Sequence, residues 1–242
     1  MKPNTYKFLL DLLVKSNNLC RVGGYRDGGY VLPFSSIVDS DILISGGIGS
    51  NARYETDVID INPKIKIIPY DKLFSVIRMF LRILYHVFKK NIDFRQSMIE
   101  SLSAIIVKNK FGIRKEFLTK KNDIERVLFE NKITSNKILI KLDIEGSEYE
   151  ILESIFSNES RITALNIEFH SLNKQKNLQL LKSFVQKTKM KLIFISINET
   201  SIVDGFPSII ELSFTSDKYL DNKDYFLQAS SFPGKYKLEY FT

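Results

Sequence analysis

The stretch ILIKLDIEGSEYE, residues 138–150, decides the fold of this chain. A short apolar run of strand type leads into two carboxylates, Asp143 and Glu145, and then into a glycine and a helix start. Ligands of open α/β sheets bind at the carboxyl ends of the strands. The stretch therefore predicts an internal strand whose end carries a binding site.

Strand and helix patterns alternate on both sides of this stretch. Strands are predicted at 41–46, 64–70, 138–143, 162–170, 191–197 and 209–215, and helices at 4–18, 52–61, 122–130, 147–156 and 173–188. The last two strands are joined without a helix, so we expect them to be antiparallel. This order predicts an α/β fold with a mostly parallel sheet, an antiparallel C-terminal strand and helices on both faces.

Length and composition are those of a single globular domain. The 242 residues are 44% hydrophobic and 26% charged, which is enough for a sizeable core. We expect one domain over 1–242, with a helix and hairpin in 1–40 and a basic helical insertion at 72–110. The single cysteine, Cys20, excludes an intramolecular disulfide, and no signal peptide is recognised, so we expect a cytoplasmic protein.

The net charge of +7 suits acidic partners, but the lysines are dispersed along the chain. Without an arginine-rich run or a basic aromatic sheet, we expect no nucleic-acid partner. The segment KLFSVIRMFLRILYHVFKK, residues 72–90, is basic and amphipathic, and charges interrupt it too often for a membrane span. It is expected to pack on the sheet or to make a peripheral contact with the inner face of a membrane.

A glycine-rich turn, SGGIGSN, follows the first predicted strand of the sheet. Gly46, Gly47 and Gly49 allow the backbone to approach a ligand closely, and the next helix offers free N–H groups. Only the first two glycines of the G-x-G-x-x-G dinucleotide-binding fingerprint are present in this turn, and the last one is missing. Asp71 ends the next strand about 20 residues later, the spacing at which an acidic side chain reaches ribose hydroxyls. Together the two features favour ribose binding.

Acidic residues and a histidine end two neighbouring strands. In an extended strand Lys141, Asp143 and Glu145 point the same way, so the two acids could bind one cation, amine or hydroxyl. Glu168 and His170 also share a side at the end of the next strand. Histidine suits proton abstraction near neutral pH. We expect both strand ends to face one crevice.

Loops outside the sheet supply further candidate residues for contact with an acceptor. The sequence Asp27-Gly28-Gly29-Tyr30 is typical of a hairpin turn, and it could also fold over the crevice. Asp27 and Tyr30 are therefore candidate substrate-binding residues. Asn198 is another candidate, in a loop that we expect to influence specificity.

The segments DGGYV, SGGIGSN, YD, KLDIEGSEYEIL, IEFH and FPSIIELSF, in this order, resemble the FkbM-type methyltransferases, which depend on S-adenosylmethionine (SAM). The resemblance spans roughly residues 21–215, and KLDIEGSEYEIL is its most specific part. It implies the class I methyltransferase fold, a Rossmann-like, mostly parallel seven-stranded sheet with a reversed final strand.

The resemblance also implies roles for individual residues. Gly46, Gly47 and Gly49 would lie against the methionine and ribose of SAM, and Asp71 would hold the ribose hydroxyls. Ser45 belongs to the same cofactor loop, but SAM enzymes often carry an acidic residue at this point. Asp143 would lie near the sulfonium or the acceptor. Family members methylate hydroxyls, often on sugars, so the implied acceptor is a sugar or glycan.

The resulting hypothesis is O-methyl transfer, with His170 as the first candidate base and Asp143 as the second. Glu145 or Glu168 would orient the acceptor, or one of them, Glu145 first, would hold Mg²⁺ together with Asp143 to lower the pKa of the hydroxyl. Two alternatives stay open. The spacing of Asp143 and Glu145 also fits a metal-dependent glycosyltransferase that uses a nucleotide sugar, and residues 72–90 could anchor a non-catalytic membrane or glycan-binding protein.

Overall fold

A mostly parallel sheet of six strands, flanked by helices on both faces, forms the centre of this computed structural model. The structure describes residues 6–16, 18–24, 29–77, 79, 81, 84–85, 94–121, 123–197, 201–203 and 206–220. Over these residues the α/β fold class predicted from the sequence is confirmed.

The regular elements are short strands and helices that mostly alternate along the chain. The strands are β1 (Leu19–Val22), β2 (Tyr30–Pro33), β3 (Ile42–Gly46), β4 (Lys66–Tyr70), β5 (Ile138–Leu142), β6 (Ile162–Phe169), β7 (Lys191–Ile197), β8 (Ile202–Val203), β9 (Phe206–Pro207) and β10 (Ile210–Thr215). The helices are α1 (Lys7–Leu12), α2 (Phe34–Val38), α3 (Arg53–Ile61), α4 (Phe94–Phe111), α5 (Asp123–Glu130), α6 (Glu148–Asn158) and α7 (Gln175–Lys187). Short 3-10 turns occur at Glu159–Arg161 and Asp217–Tyr219.

The strand order of the large sheet is β4-β3-β5-β6-β10-β7. Strands β4, β3, β5 and β6 are parallel, and β10 is antiparallel to both β6 and β7, so the predicted reversal of the last strand is confirmed. Gly46 pairs with Tyr70 on one side and with Leu142 on the other, so three carboxyl ends lie level. The chain leaves β3 toward one edge and later returns through β5 toward the other, which makes a topological switch point between them.

Alternating side chains along the strands build two cores, one on each face of the sheet. In β5, Ile138 and Ile140 belong to the first core and Leu139 to the second. Helices α6 and α7 cover the first core, and α2 and α3 cover the second. Because both faces are covered, the central strands are continuous apolar runs, as is usual in parallel sheets.

The predicted seventh strand is reduced to one bridge beyond β4. Arg114 pairs with Tyr70 in parallel orientation, and its backbone N–H donates to the Pro69 carbonyl at 3.0 Å. The Asp71 N–H then donates to the Arg114 carbonyl at 2.9 Å. Lys115 and the residue after it are charged and at least partly exposed, so no apolar alternation extends the pairing. Among the described residues, the large sheet therefore has six strands, where seven were expected.

The first helix is shorter than the predicted span of 4–18. Helix α1 covers only Lys7–Leu12, because Leu13 pairs with Leu192 and the Val14 N–H donates to the Leu192 carbonyl at 2.8 Å. The chain after α1 thus adds an extended segment beside β7, and this tertiary pairing overrides the helical pattern of the local sequence.

Only the end of the predicted insertion at 72–110 is continuously described. Helix α4 places Ala104 and Val107 against Ile48 and Ala52, next to the glycine turn. The Ala52 N–H donates to the Ser103 hydroxyl at 3.0 Å, which fixes this contact. Much of 72–90 lies outside the described residues. None of the helices in the described part of the chain has the length and apolar character needed to cross a lipid bilayer.

Candidate functional site

A cleft of about 260 Å³ opens at the carboxyl ends of β3, β4 and β5, beside the topological switch point. Its lining consists of Gly47, Gly49, Tyr70, Asp71, Lys72, Leu73, Glu116, Phe117, Leu118, Asp143, Ile144, Glu145 and Ser147. The volume is just below the range of about 300–1,000 Å³ typical of small-molecule sites. The glycine turn, Asp71 and Asp143, which the sequence analysis identified separately, therefore share one cleft.

The glycine turn approaches the end of β5 too closely for any side chain at Gly47. Gly47 has φ +77°, and a Cβ atom there would lie 1.6 Å from the carbonyl oxygen of Asp143. The Asp143 N–H donates to the Gly46 carbonyl at 3.0 Å. The buried Lys141 ammonium donates to the Gly47 carbonyl at 2.6 Å. These contacts hold the turn against the acidic end of β5.

Asp71 ties the glycine turn to the end of β4. Its Oδ2 accepts from the Gly49 N–H at 2.6 Å, and its Oδ1 accepts from the Leu73 N–H at 2.7 Å. A carboxylate has about four acceptor positions, so both oxygens keep room for another hydrogen bond. The carboxylate is thus oriented by the backbone and still able to accept from a ribose diol.

Ser45 is buried beneath the turn, and it does not line the cleft. Its hydroxyl donates to Glu55 Oε1 at 2.5 Å, and Glu55 is fully buried in the first turn of α3. Burial raises the pKa of Glu55, and the charge of Lys141 and the bond from Ser45 partly oppose this rise. Glu55 thus supplies a carboxylate next to the position where Ser45 replaces the expected acid. Sequence reasoning missed it, although an acid between the buried Tyr54 and Val58 was a usable signal.

Asp143, Glu168 and His170 come together at the ends of β5 and β6. One potential ligand atom from each of them lies within 4.8 Å of the other two. The Nε2 atom of His170 is 3.5 Å from Glu168 Oε1 and 3.9 Å from Asp143 Oδ1. Glu145 is exposed, and its Oε2 is also 3.5 Å from Nε2. The two strand ends therefore lie close together, but Glu168 and His170 are buried and are not among the residues that line the cleft.

Glu148 orients the histidine from the opposite side, and sequence reasoning missed this role. Its Oε1 is 2.8 Å from His170 Nδ1 and accepts the Gly146 N–H at 3.0 Å. Ser147 precedes α6 without a side-chain cap bond. The carboxylate of Glu148 binds the backbone of the preceding loop instead, including the Ile144 N–H at 3.2 Å.

The acidic surroundings change the proton affinity of His170. Burial lowers its pKa, but the bond to Glu148 and the charges of Glu148, Glu168 and Asp143 outweigh burial and raise the pKa to about 9. In these surroundings, without a bound cation, the ring is protonated at neutral pH and is paired with carboxylates. An imidazolium cannot accept another proton, so this state does not favour His170 as a general base.

Phe117 and Leu118 form an apolar wall of the cleft that sequence reasoning did not identify. Leu118 is buried, and its Cδ1 would lie 3.2 Å from a Cβ at Gly46. Phe117 is 43% exposed, and the ammonium of Lys72 lies 4.8 Å from its ring centroid. No sequence pattern placed residues 111–121 near the glycine turn, because the bridge at Arg114 brings them there.

Of the predicted substrate-binding residues, the structure describes Tyr30 and Glu145. Tyr30 is completely buried, and its ring packs edge-on against Tyr54 at 5.6 Å in the core that α3 covers, so it does not line the cleft. Glu145 lines the cleft. Asp27 and Asn198 lie outside the described residues.

Several solved structures resemble this chain at low sequence identity. The fibrillarin/Nop5p complex has a TM-score of 0.40 and 10% identity, covering 74% of this chain and 73% of that one. A precorrin-6y C5,15-methyltransferase from Geobacter metallireducens GS-15 has a TM-score of 0.37 and 12% identity, and the match covers 76% of this chain and 85% of that one. An rRNA methylase from Streptococcus thermophilus has a TM-score of 0.39 and 9% identity, and the match covers 76% of this chain and 92% of that one. No family model and no curated protein matches this chain.

These comparisons correct the prediction about partners and leave the predicted family resemblance as it was. The expected partners were a sugar or glycan acceptor with nucleic acid excluded, and the presence of an rRNA methylase among the similar structures contradicts that expectation. The exclusion of nucleic acid is therefore withdrawn. The resemblance to the FkbM-type methyltransferases stays a prediction, because no family model matches. Likenesses this distant do not assign an activity.

Proposed function

We propose that this protein is a SAM-dependent methyltransferase that transfers a methyl group to an acceptor hydroxyl. The observation that carries the proposal is the shared cleft of the glycine turn, Asp71 and Asp143. Perturbed ionisable groups beside a cleft are typical of functional sites, and His170 is such a group.

The residues of the cleft fit the parts of SAM. Asp71 offers carboxylate oxygens to the ribose diol, and Phe117 and Leu118 offer an apolar wall to the adenine. Gly47 has no side chain, so backbone atoms alone face the ligand where the turn after β3 meets the end of β5. Asp143 lies at the acidic end, where a negative charge stabilises a sulfonium cation.

The charges of the lining favour a cationic cofactor over a nucleotide sugar. Four carboxylates line the cleft, at Asp71, Glu116, Asp143 and Glu145, and Lys72 is the single basic residue among the described residues of the lining. A diphosphate group would be repelled by this surface unless metal ions covered it. The charge of SAM at the sulfonium and the amino group suits the same surface. When no metal ion is bound, this comparison favours methyl transfer over the glycosyltransferase alternative.

In the proposed reaction the chain positions an acceptor and receives its proton. When bound, SAM supplies an electrophilic methyl group, which the hydroxyl oxygen takes while the S–CH₃ electron pair returns to sulfur. Asp143 is the favoured proton acceptor because it lines the cleft, whereas His170 is already protonated. Glu168 and Glu145 orient the hydroxyl from either side of the imidazole. Alignment at about 3 Å and exclusion of water supply much of the rate enhancement.

We expect the isolated protein to bind SAM and its demethylated product with micromolar affinity, and a uridine diphosphate sugar not measurably. Isothermal titration calorimetry with the three ligands in parallel measures this directly. The reason is the acidic lining, which attracts the sulfonium and repels the diphosphate. Tighter binding of the nucleotide sugar, or no heat with SAM, would overturn the proposed function.

The O-methyl part of the proposal needs a separate measurement. Methyl-labelled SAM is incubated with RNA and with small hydroxyl compounds, and the linkage of the transferred label is determined by mass spectrometry. An ether product supports transfer to oxygen. A product methylated only at nitrogen or carbon would remove the hydroxyl acceptor while leaving methyl transfer in place.

A further inference from the structure

The Nε2 atom of His170 faces carboxylates that come from two strand ends. Glu168 Oε1 lies 3.5 Å away and Asp143 Oδ1 lies 3.9 Å away. In an octahedral site with ligands about 2.1 Å from the ion, ligand atoms are about 3 Å apart when adjacent and about 4 Å apart when opposite. The observed separations of 3.5 and 3.9 Å lie between these two values.

The other ring nitrogen is held as it is in many metal-binding histidines. His170 Nδ1 is 2.8 Å from Oε1 of the fully buried Glu148. A carboxylate on one ring nitrogen fixes the tautomer, turns the ring and makes the other nitrogen a better ligand. The arrangement therefore holds Nε2 beside Asp143 and Glu168.

In the described part of the chain, a second buried acid adds negative charge beside this space. Glu168 is 4% exposed, and Glu211 is directly opposite it in the antiparallel pair with β10 and is also buried. The buried Lys141 ammonium lies 3.9 Å from Asp143 Oδ2, whereas the distance to His170 is measured from Oδ1. A divalent cation in this space would be attracted by the carboxylates of the cluster.

We propose that Asp143, Glu168 and His170 bind one divalent cation at the acceptor end of the cleft, with Glu145 as a further ligand from the exposed side. A site with one imidazole nitrogen and carboxylate oxygens suits Mn²⁺ better than Mg²⁺, which prefers oxygen ligands alone. Binding displaces the proton from Nε2, and the N–H at Nδ1 stays with Glu148. The sequence predicted Mg²⁺ on Asp143 with Glu145 or Glu168, and the proposed site adds His170 as a nitrogen ligand.

The role of the cation in catalysis rests on the proposed methyl transfer, but its binding does not. A cation here would lower the pKa of an acceptor hydroxyl and hold its oxygen near the acidic end of the cleft. The site is tested on the full chain without SAM. Failure of cation binding is thereby separate from failure of SAM binding.

The test is a titration of the full chain with Mn²⁺ at pH 7.5, followed by the electron paramagnetic resonance signal of free Mn²⁺. We expect about one bound Mn²⁺ per chain, and affinity at least about tenfold weaker in Glu168→Gln, which loses a ligand. Glu150→Gln is the matched control, because Glu150 is exposed on α6 and is not one of the proposed ligands. Its Mn²⁺ affinity should equal that of the original chain.

Two further measurements keep the inference open to refutation. Glu168→Gln should still bind SAM, and Asp71→Asn should still bind Mn²⁺, because the two residues serve different ligands. Electron spin-echo modulation of Mn²⁺ bound to the unaltered chain should contain a ¹⁴N coupling from the imidazole. Absence of Mn²⁺ binding, equal binding in Glu168→Gln, or absence of the ¹⁴N coupling overturns the site; the last result decides even if the variant does not fold.

Discussion

Gly47→Ala is expected to lower the free energy of unfolding by about 2–5 kcal/mol. A residue with a Cβ atom is strained by about 1–2 kcal/mol in the left-handed conformation that Gly47 adopts. The new atom would also lie 1.6 Å from the backbone oxygen of Asp143, and no flexible side chain can move aside there. Relieving this overlap means moving the turn away from β5, at a cost of about 1–3 kcal/mol.

Gly49→Ala is the matched control for this prediction. Gly49 has φ +60°, but a Cβ atom there would meet no atom within 4 Å. The free energy of unfolding of this variant should therefore fall by only about 1–2 kcal/mol, the cost of placing an alanine in the left-handed conformation. Urea denaturation of both variants gives the two free energies, and equal losses would mean that the close approach of Gly47 to Asp143 does not matter for stability.

Asp71→Asn is expected to weaken SAM binding about hundredfold, equivalent to about 2.7 kcal/mol. The carboxylate of Asp71 accepts from two backbone N–H groups, at Gly49 and Leu73, and the proposed ribose diol would bind the same oxygens. The amide has only one acceptor oxygen, so its NH₂ group would face either a backbone donor or the ribose. Hydrogen bonds to a charged partner contribute about 1.5–3 kcal/mol each, which sets the expected loss.

Calorimetric titration with SAM measures the effect, and a denaturation midpoint shows whether the fold is retained. Asp60→Asn is the control, since Asp60 is an exposed residue near the end of α3 and does not line the cleft. It removes the same charge without touching the proposed ribose site. Equal SAM affinity in Asp71→Asn and Asp60→Asn would contradict the role proposed for Asp71.

The part of the sheet that carries the cleft was predictable because β3, β4 and β5 are short apolar runs that end at a glycine or just before an acid. The run before Asp143 and the run before Asp71 both form parallel strands with ends at the same level. The reversed final strand was predictable because no helix separates 191–197 from 209–215. Local patterns of this kind indicate where strands end, and the ends of parallel strands meet at one edge.

The contacts that complete the site depend on residues far apart in the sequence. The local sequence places Glu148 at the start of a helix, but its side chain orients His170, which lies 22 residues later in the chain. Glu55 and Ser45 meet only because α3 folds back over β3. Phe117 reaches the cleft because of a backbone bridge at Arg114 that has no apolar signature. A single sequence contains no local signal for such pairings.

The inner position of β10 has a consequence for synthesis on the ribosome. This strand lies between β6 and β7, yet it is made after both of them. Until residues 210–215 have emerged, the nascent chain presents two unpaired strand edges, which are templates for aggregation. A chain interrupted shortly before β10 would therefore be a strong chaperone substrate, whereas a few more residues allow the sheet to close.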